Sequence, residues 1–289
     1  MAQAAPAPDL TAVVVNYNAG EWLARSLGAL ALSEPPPQAV LVDNASSDTS
    51  LALAEQAPLA RPFRLLRNDQ NLGYAKACNR GAAESVGDLV FVNPDCVVQP
   101  QTLGKLQAVL EAQPKAGVVG ALVTNADGSI QRASLRRMPT VARTLGSLLG
   151  LGSLNLPPPH GDAPQEVEAV SGALLLVRRR CFEELGGFDE NYFLHCEDLD
   201  LMDRARRAGW QVWLAPAASA VHVQGVSHRS APLESQIHKH RSLVRFFGQR
   251  LGAPGRWIWS GLIWLHFLAL APRWWWQGLR RGRAGASSP

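Results

Sequence analysis

Asp95 is the first residue whose type and position indicate chemistry. It follows an apolar run in Asn93-Pro94-Asp95, and a carboxylate at the end of a buried strand places a hard oxygen ligand at the edge of a sheet. Mg²⁺ and Mn²⁺ take one or two such carboxylates and fill their remaining positions with phosphate oxygens and water. Because Asn-Pro-Asp is also ordinary turn sequence, this segment alone does not separate a metal site from a turn.

A pair of acids, Glu197 and Asp198, forms the second candidate. They open a predicted helix whose apolar face carries Leu199, Met202 and Ala205. Acids in a first helical turn also stabilise the helix dipole, which is their structural alternative. An ionised carboxylate at that place can take a proton from an acceptor hydroxyl, which is the role of a general base.

His222 ends a short apolar strand, Ala220 to Val223. A neutral imidazole can bind Mn²⁺ through either ring nitrogen. A lone histidine is more often structural, and His228 is close enough in sequence to take the same part. The sequence therefore leaves the histidine ligand open.

Asp43 follows the second apolar run, where its carboxylate can accept the imide N–H of uracil or thymine. A dinucleotide-binding domain also places an acid near this position, but it needs a GxGxxG turn after the first strand. The chain has Asn16-Tyr17-Asn18-Ala19-Gly20 there, which excludes that interpretation. Asp48 or Ser47 is predicted to cap the following helix.

Short apolar runs alternate with helical patterns through the first half of the chain, which is typical of βαβ units around a parallel sheet. The predicted strands are Leu10 to Val15, Ala39 to Val42, Phe63 to Leu66 and Leu89 to Val92, and the predicted helices are Glu21 to Leu32, Thr49 to Gln56 and Tyr74 to Ala83. Ligands gather beyond the carboxyl ends of parallel strands. The polar residues at those ends should therefore converge on one crevice.

The second half has a less regular pattern. A Pro- and Gly-containing loop is predicted from Asn125 to Pro164, followed by an apolar run, a Gly-Gly turn, a charged helix and two short strands. These are Val167 to Val177, Gly186-Gly187, Glu197 to Ala208, Val212 to Leu214 and Ala220 to Val223. The pattern predicts a flexible segment 1–9, a catalytic domain over 10–232 and a helical extension over 233–289.

The extension has an unusual composition. Trp257 to Ala271 is almost uniformly apolar, and three tryptophans, Trp274 to Trp276, precede Arg280, Arg281 and Arg283. Fifteen residues fall short of the ~20 that cross a bilayer as a helix. Tryptophans and arginines favour a segment lying in the membrane interface, and packing on the protein's own core is the alternative.

The composition limits the functional classes. A chain of 289 residues, 47% of them hydrophobic, can bury a large core. A formal net charge of +4 is small and argues against a nucleic-acid partner. Met1 to Pro8 lacks the pattern of a secretory signal, so the catalytic part is expected in the cytoplasm. The cysteines, expected to be reduced and buried, are Cys78, Cys96, Cys181 and Cys196.

Taken in order, seven segments resemble the family 2 inverting glycosyltransferases of the A-type fold, particularly the rhamnosyltransferase-like branch that acts on cell-surface polysaccharides. The segments are VVVNYN, VDNASSDTS, NLGYAKACNRG, FVNPD, SGALLLVRR, GGFDENYFLHCEDLDL and HVQGVSH, over about residues 10–230. The resemblance implies an α/β fold with a mostly parallel, Rossmann-like central sheet flanked by helices.

The resemblance also implies roles for matching residues. Asp198 would be the catalytic base with Glu197 as its neighbour, and Asp95 and His222 would bind Mg²⁺ or Mn²⁺. Asn93 stands where the full DxD motif has its first aspartate, a substitution familiar in the rhamnosyltransferase-like branch. The residues assigned to the nucleotide sugar are Tyr17, Asn18, Asp43, Asn44, Gly73, Lys76, Asn79, Asn93 and Asp95.

The implied reaction is a single displacement with inversion. The implied donor is a dTDP-, UDP- or GDP-linked sugar, dTDP-rhamnose among them, and the acceptor is a saccharide or a polyprenyl-linked saccharide at the inner face of the cytoplasmic membrane. Two alternatives are a nucleotidyltransferase that makes a sugar nucleotide and a catalytically silent membrane-bound scaffold. The first lacks a basic Gly-rich loop after the first strand, and the intact acidic set argues against the second.

Overall fold

A computed structural model describes residues 10–57, 62–148, 154–157, 161–223 and 232–285, together with positions 151 and 159. The predicted flexible segment 1–9 and the alternative ligand His228 lie outside the described residues. The strands in the described part are β1 Leu10–Asn16, β2 Gln38–Asp43, β3 Phe63–Arg67, β4 Asp88–Val92, β5 Cys96–Val98, β6 Ala116–Thr124, β7 Leu135–Arg136, β8 Gln165–Val167, β9 Ala169–Val170, β10 Leu174–Val177 and β11 Gln211–His222. The helices there are α1 Trp22–Ala31, α2 Ser50–Gln56, α3 Tyr74–Ala83, α4 Thr102–Ala112, α5 Val141–Leu148, α6 Arg179–Glu184, α7 Glu197–Arg207, α8 Pro232–Gly248 and α9 Ala253–Gly285.

The first half of the chain forms the predicted βαβ arrangement. β3, β2, β1 and β4 are parallel neighbours in that order, and the four predicted strands and three predicted helices are confirmed to within a few residues. β1 and β4 are apolar along their length because helices cover both faces of the sheet. Asn16 pairs with Asp43 at the ends of β1 and β2, so the carboxyl ends of these strands meet as expected.

The expectation of a mostly parallel sheet is wrong. The main sheet has the order β3-β2-β1-β4-β10-β6-β11-β5, with β8 also pairing to β11. β10 runs antiparallel between β4 and β6, and β11 pairs antiparallel with β5 and β8 but parallel with β6. The sheet is therefore mixed, and apolar runs could not reveal this because they carry no sign of strand direction.

Three elements of the second half differ from the predictions. The apolar run from Val167 to Val177 contains the turn at Gly172 and Ala173, which separates β9 from β10. The predicted strands at 212–214 and 220–223 are parts of one strand, β11, with a register shift between Ala215 and Ser219. The predicted loop over 125–164 includes the short strand β7 and the helix α5.

The core lies on both faces of the sheet. Alternate side chains of β1 point to opposite faces, so Val13 belongs to the hydrophobic cluster that includes α3, α6 and α7, while Val14 belongs to the cluster that includes α1 and α4. The four cysteines are buried and free of disulfide bonds, as expected. The sheet therefore holds its polar strand ends on a rigid frame.

The extension over 233–289 does not stand apart from the catalytic domain. Phe246 and Phe247 of α8 and Trp259 of α9 belong to the same hydrophobic cluster as the sheet. Arg245 of α8 bonds Asp189 through two nitrogens, at 2.9 and 2.6 Å. Within the described residues, α9 and the other helices lack a segment long and apolar enough to cross a membrane.

Candidate active site

The ends of β1 and β2 are joined by a buried network. The Asn16 amide donates to Asp43 Oδ1 at 2.8 Å and lies within 2.9 Å of the hydroxyls of Ser46 and Ser50. Asp43 Oδ2 also accepts the Ser46 main-chain N–H at 3.3 Å. Asp43 is therefore held in place at the crevice, with lone pairs left over because each carboxylate oxygen accepts two hydrogen bonds.

Asn44 organises the loop that leads from β3 to α3. Its Oδ1 accepts from Asn68 Nδ2 at 2.8 Å and from the Leu72 main-chain N–H at 3.0 Å, and its Nδ2 donates to Asn71 Oδ1 at 2.7 Å. Asn44 is almost completely buried. Its visible role is to fix this loop, while its assignment to the nucleotide sugar stays a prediction.

The residues after β1 differ in exposure. Tyr17 is 36% exposed, which leaves its ring available for stacking. Asn18 has a positive φ of 52°, and its Oδ1 accepts the main-chain N–H groups of Ser47 and Asp48 at 2.8 and 3.2 Å. Asp48 accepts the main-chain N–H of Ser50 at the start of α2, but the N-cap position itself is Thr49.

α3 lies against the segment that leads to Glu197. Gly73 has a φ of +85°, and a Cβ there would lie 2.7 Å from the carbonyl oxygen of Phe193, so only glycine fits. Asn79 exchanges two 2.9 Å hydrogen bonds with the main chain of Phe188. Lys76 is exposed on the first turn of α3. The nucleoside roles of these three residues stay predictions.

Asp95 and His222 meet at the carboxyl edge of the sheet. Asp95 Oδ1 lies 3.1 Å from His222 Nε2, and both side chains are largely buried. Asn93 Nδ2 lies 3.3 Å from the same nitrogen. The pairing arises because the end of β11 runs antiparallel to β5, which starts directly after Asp95.

This pair fits a divalent cation. Two neighbouring ligands of an octahedral ion, each about 2.1 Å from it, lie about 3 Å apart, close to the distance between Asp95 Oδ1 and His222 Nε2. Among the described residues, three or more His, Cys, Asp or Glu side chains do not come together as a metal cage. A cation held by this pair would therefore take its other ligands from phosphate oxygens and water, as Mg²⁺ commonly does.

Asp198 is held by three neighbours. Its Oδ2 accepts from Arg136 Nη2 at 2.8 Å, and its Oδ1 accepts the Leu199 main-chain N–H at 2.8 Å. It rests on Gly172, where a Cβ would lie 2.7 Å from Asp198 Oδ2. Gly172 must therefore be glycine to leave room for the carboxylate.

Glu197 lies in a less favourable environment. It is buried and its Oε2 lacks a hydrogen-bond partner in the structure. Burial, followed by the neighbouring Asp198 carboxylate, raises the pKa of Glu197 well above the usual range, although Arg136 acts in the opposite direction. Burial raises the pKa of Tyr74 and of Cys78 as well, and Glu197 adds to both shifts.

The loop between β9 and β10 joins the two acidic segments. The main-chain N–H of Asn93 donates to the carbonyl of Ala173 at 3.0 Å, and the adjacent Gly172 is the residue that contacts Asp198. Asn93 and the candidate base are thus connected through two consecutive residues between β9 and β10. The convergence predicted from the strand ends is confirmed for Asn16, Asp43 and Asn93, since β1 lies between β2 and β4.

Two site residues were not found from the sequence. Arg136 contacts Asp198, and Gln131 contacts His222, with Gln131 Oε1 3.2 Å from His222 Nδ1. Both lie in the segment that was expected to be a loop, where isolated polar residues carry no periodicity. The segment 132–143 contains four arginines, and its sequence gave no reason to single out Arg136.

The half-sheet of four parallel strands carries Asp43 and Asp95 at its carboxyl edge, and His222 reaches Asp95 from the end of β11. The chain belongs to glycosyltransferase family 2, because the family model described as "Glycosyl transferase family 2" matches residues 11–185. The motif-based prediction of the family is therefore confirmed.

Two curated relatives support this assignment. A protein of Mycobacterium tuberculosis described as N-acetylglucosaminyl-diphospho-decaprenol L-rhamnosyltransferase is 35% identical over 281 residues, covering 88% of this chain and 90% of the relative. Rhamnosyltransferase WbbL of Escherichia coli K12 is 28% identical over 164 residues, covering 56% of this chain and 61% of the relative.

Solved structures show the same fold. The mannosyltransferase PcManGT from Pyrobaculum calidifontis, in complex with GDP-Man and Mn²⁺, matches with a TM-score of 0.61 at 20% identity, covering 98% of this chain and 76% of that chain. GalNAc-T7 with UDP, GalNAc and Mn²⁺ matches with a TM-score of 0.58 at 17% identity, covering 75% and 44%.

Proposed function

We propose that this glycosyltransferase moves a rhamnose-class sugar from a dTDP-linked donor to a hydroxyl of a polyprenyl-diphosphate-linked saccharide, with inversion and one Mg²⁺ or Mn²⁺. The observation that carries the proposal is the pair of Asp95 and His222, whose Oδ1 and Nε2 atoms lie 3.1 Å apart. The mycobacterial relative, described as a rhamnosyltransferase with a decaprenol-linked saccharide in its name, supports this choice of donor and acceptor.

The donor would lie across the ends of β1, β2 and β4. Tyr17 would stack on the nucleobase and Asp43 would accept its imide N–H, while Asp95 and His222 would hold the cation next to the diphosphate. The cation would neutralise negative charge on the departing diphosphate. Asn16 and Ser46 keep the Asp43 carboxylate oriented toward the base.

Asp198 would act as the general base. Arg136 and the Leu199 N–H fix both of its oxygens, and each oxygen retains a further lone pair for the acceptor hydroxyl. The deprotonated oxygen would attack the anomeric carbon from the face opposite the nucleotide, so one displacement inverts the configuration.

The donor is tested by binding. Purified protein is mixed with Mn²⁺ and each of dTDP-rhamnose, UDP-glucose, UDP-N-acetylglucosamine and GDP-mannose, and the melting temperature is recorded. A ligand that binds only the folded state raises the apparent stability, so we expect the largest Mn²⁺-dependent increase with dTDP-rhamnose. A larger increase with a UDP or GDP sugar would contradict the assignment of dTDP-rhamnose as the donor. Pyrophosphate release from dTTP would favour the nucleotidyltransferase alternative.

The outer side of α9 supports a membrane-bound acceptor. Its exposed large apolar residues fall within an arc of about 140° at 100° per residue. They are Trp257, Ile258, Leu262, Leu265, Leu268, Trp275 and Trp276. The opposite side of α9 packs on α8 and the core through Trp259 and Ile263. A helix that is apolar on both sides needs a partner on its outer side, and we assign that side to the inner leaflet of the cytoplasmic membrane.

Vesicle flotation tests the membrane assignment. The triple change Leu262→Ser, Leu265→Ser and Leu268→Ser removes apolar area from the exposed stripe without touching the side that packs on α8. We expect wild type to float with vesicles that contain anionic lipid and the triple variant to remain in the bottom fraction of the gradient. Leu32→Ser is the matched control, since Leu32 is 66% exposed on another helix end. Equal flotation of the triple variant would contradict the assignment.

A further inference from the structure

Gln131 is a buried residue with a fixed main chain. Its side chain is 3% exposed, its N–H donates to the carbonyl of Val123 at 2.9 Å, and its carbonyl accepts from Ser134 at 2.9 Å. Both main-chain groups are thereby tied to β6 and to the turn before β7. The amide of Gln131 projects from this fixed position toward His222.

The surroundings determine which way the Gln131 amide points. Its Nε2 lies 2.6 Å from the His222 carbonyl oxygen, 3.0 Å from Asn125 Oδ1 and 3.4 Å from the Thr124 carbonyl oxygen. Three oxygens at one end of the amide require the N–H₂ group there, because an amide oxygen in that place would face acceptors only. The amide oxygen must therefore lie at the other end, 3.2 Å from His222 Nδ1.

This orientation selects one tautomer of His222. An amide oxygen only accepts hydrogen bonds, so Nδ1 of the imidazole must carry the hydrogen. In the neutral ring, Nε2 then has a free electron pair, which faces Asp95 Oδ1 at 3.1 Å and the Asn93 amide nitrogen at 3.3 Å. An electron pair and a carboxylate oxygen at this distance are suited to share one cation.

We propose that Gln131 is a positioning residue for the cation: it holds His222 in the tautomer that presents Nε2 to a metal shared with Asp95. The inference rests on the proposed metal site and adds a residue to it. Histidine ligands are commonly fixed in this way by a hydrogen bond from the other ring nitrogen, and loss of such a partner typically lowers metal affinity about 10- to 100-fold.

Binding of Mn²⁺ alone, followed by the loss of the free-ion signal in electron paramagnetic resonance, tests the proposal without turnover. We expect Gln131→Leu to weaken Mn²⁺ binding about 10- to 100-fold. Gln249→Leu is the control, since Gln249, directly after α8, bonds Tyr192 and Asp189 away from His222. His222→Ala should lose binding.

The outcomes separate the two proposals. Absence of Mn²⁺ binding by the wild type would sink the metal site itself. Wild-type affinity in Gln131→Leu together with lost binding in His222→Ala would leave the metal site standing and overturn the role of Gln131.

A spectroscopic measurement reads the tautomer in the wild type itself and uses a variant for the assignment alone. In ¹⁵N-histidine-labelled wild type at about pH 8, where imidazole is ordinarily neutral, long-range ¹H–¹⁵N correlations report which ring nitrogen carries hydrogen. His222 is assigned by its disappearance in His222→Asn. We expect hydrogen on Nδ1 and none on Nε2. Hydrogen on Nε2, alone or on both nitrogens, would refute the positioning role.

Discussion

At the ends of β1 and β2 the buried polar side chains bond to one another, whereas at the start of α7 two acids lie side by side in a buried environment. Asn16, Asp43 and Asn44 share hydrogen bonds with their neighbours, with Asn16 Oδ1 the exception. Glu197 has an unpartnered oxygen and a raised pKa. The first region is built to hold its shape and the second to react.

Backbone geometry shows the same contrast. His195 and Cys196, immediately before α7, have positive φ values of 69° and 65°. Residues other than glycine rarely adopt this backbone conformation, which costs about 1–3 kcal/mol for each residue. The packing of α7 against β11 and β9 maintains it. Strain of this kind concentrates at functional sites, so stability and chemistry should respond to changes in the two regions in opposite ways.

The largest effect is expected from Asp198→Asn. The amide cannot take a proton from the acceptor, and general-base catalysis typically contributes about 10²- to 10⁴-fold to a rate. We expect transfer, measured as release of the nucleoside diphosphate in the presence of acceptor, to fall by about that factor at an unchanged melting temperature. Asp203→Asn on the same helix is the control, because the Asp203 carboxylate bonds Arg250 and is not a candidate site residue. The turnover of Asp203→Asn should stay near the wild-type level. A comparable loss in that variant would contradict a specific role for Asp198.

Asn44→Ala should have the opposite profile. It leaves Asn68 and the Leu72 N–H without their acceptor in a buried place, which typically costs about 1–3 kcal/mol. Urea unfolding should show a loss of this size in the free energy of unfolding. Asn191→Ala, an exposed asparagine bonded only within its own turn, should cost less than about 0.5 kcal/mol. Equal costs for both variants would argue against a structural role for Asn44.

Asn93→Asp tests the proposed cation site at Asp95 and His222. The change removes the amide hydrogens near His222 Nε2 and adds a second carboxylate beside Asp95. Because Mn²⁺ prefers charged oxygen ligands, we expect binding of the ion to become about tenfold tighter, or about 1.4 kcal/mol. Electron paramagnetic resonance measures this directly, and unchanged or weaker binding would count against a cation beside Asn93.

The smallest effect is expected from the pH dependence of stability. The folded protein raises the pKa of Glu197 above its ordinary value of 4.5, so the folded state holds that proton more tightly than the unfolded state. The resulting stability is fully present below about pH 4.5 and is lost as pH rises through the raised pKa. Between about pH 5 and about pH 9, Glu197→Gln should therefore gain stability relative to wild type. The free energy of unfolding of both proteins is measured in urea across this pH range. An equal pH dependence for the two would contradict the prediction.

The sequence predicts some parts of the site well and others not at all. Asp43 and Asp95 each follow a strongly patterned strand, so the meeting of these strand ends could be predicted. Arg136 could not, because its contact with Asp198 depends on the pairing of β7 with β9, two residues long and 34 residues apart. Strand direction could not be predicted for the same reason. β10 runs antiparallel to β4, which lies far from it in the sequence.

The tail illustrates a different limit. Its apolar composition left membrane contact and core packing as alternatives, and the structure shows Trp259 and Ile263 packed on the core while the opposite stripe is exposed. Periodicity alone could not show this, because apolar residues occur all around α9. The position of the packed stripe depends on α8, which contacts both α9 and the catalytic domain.

Calorimetric titration of dTDP-rhamnose, with and without Mn²⁺, into wild type, Asp95→Ala and Asp198→Asn tests the central claim most directly. Donor binding should require Mn²⁺ in wild type and in Asp198→Asn, and it should be lost in Asp95→Ala. If the sugar nucleotide binds equally well without Mn²⁺, or if Asp95→Ala keeps wild-type affinity, the cation-bound diphosphate at Asp95 and His222 is contradicted.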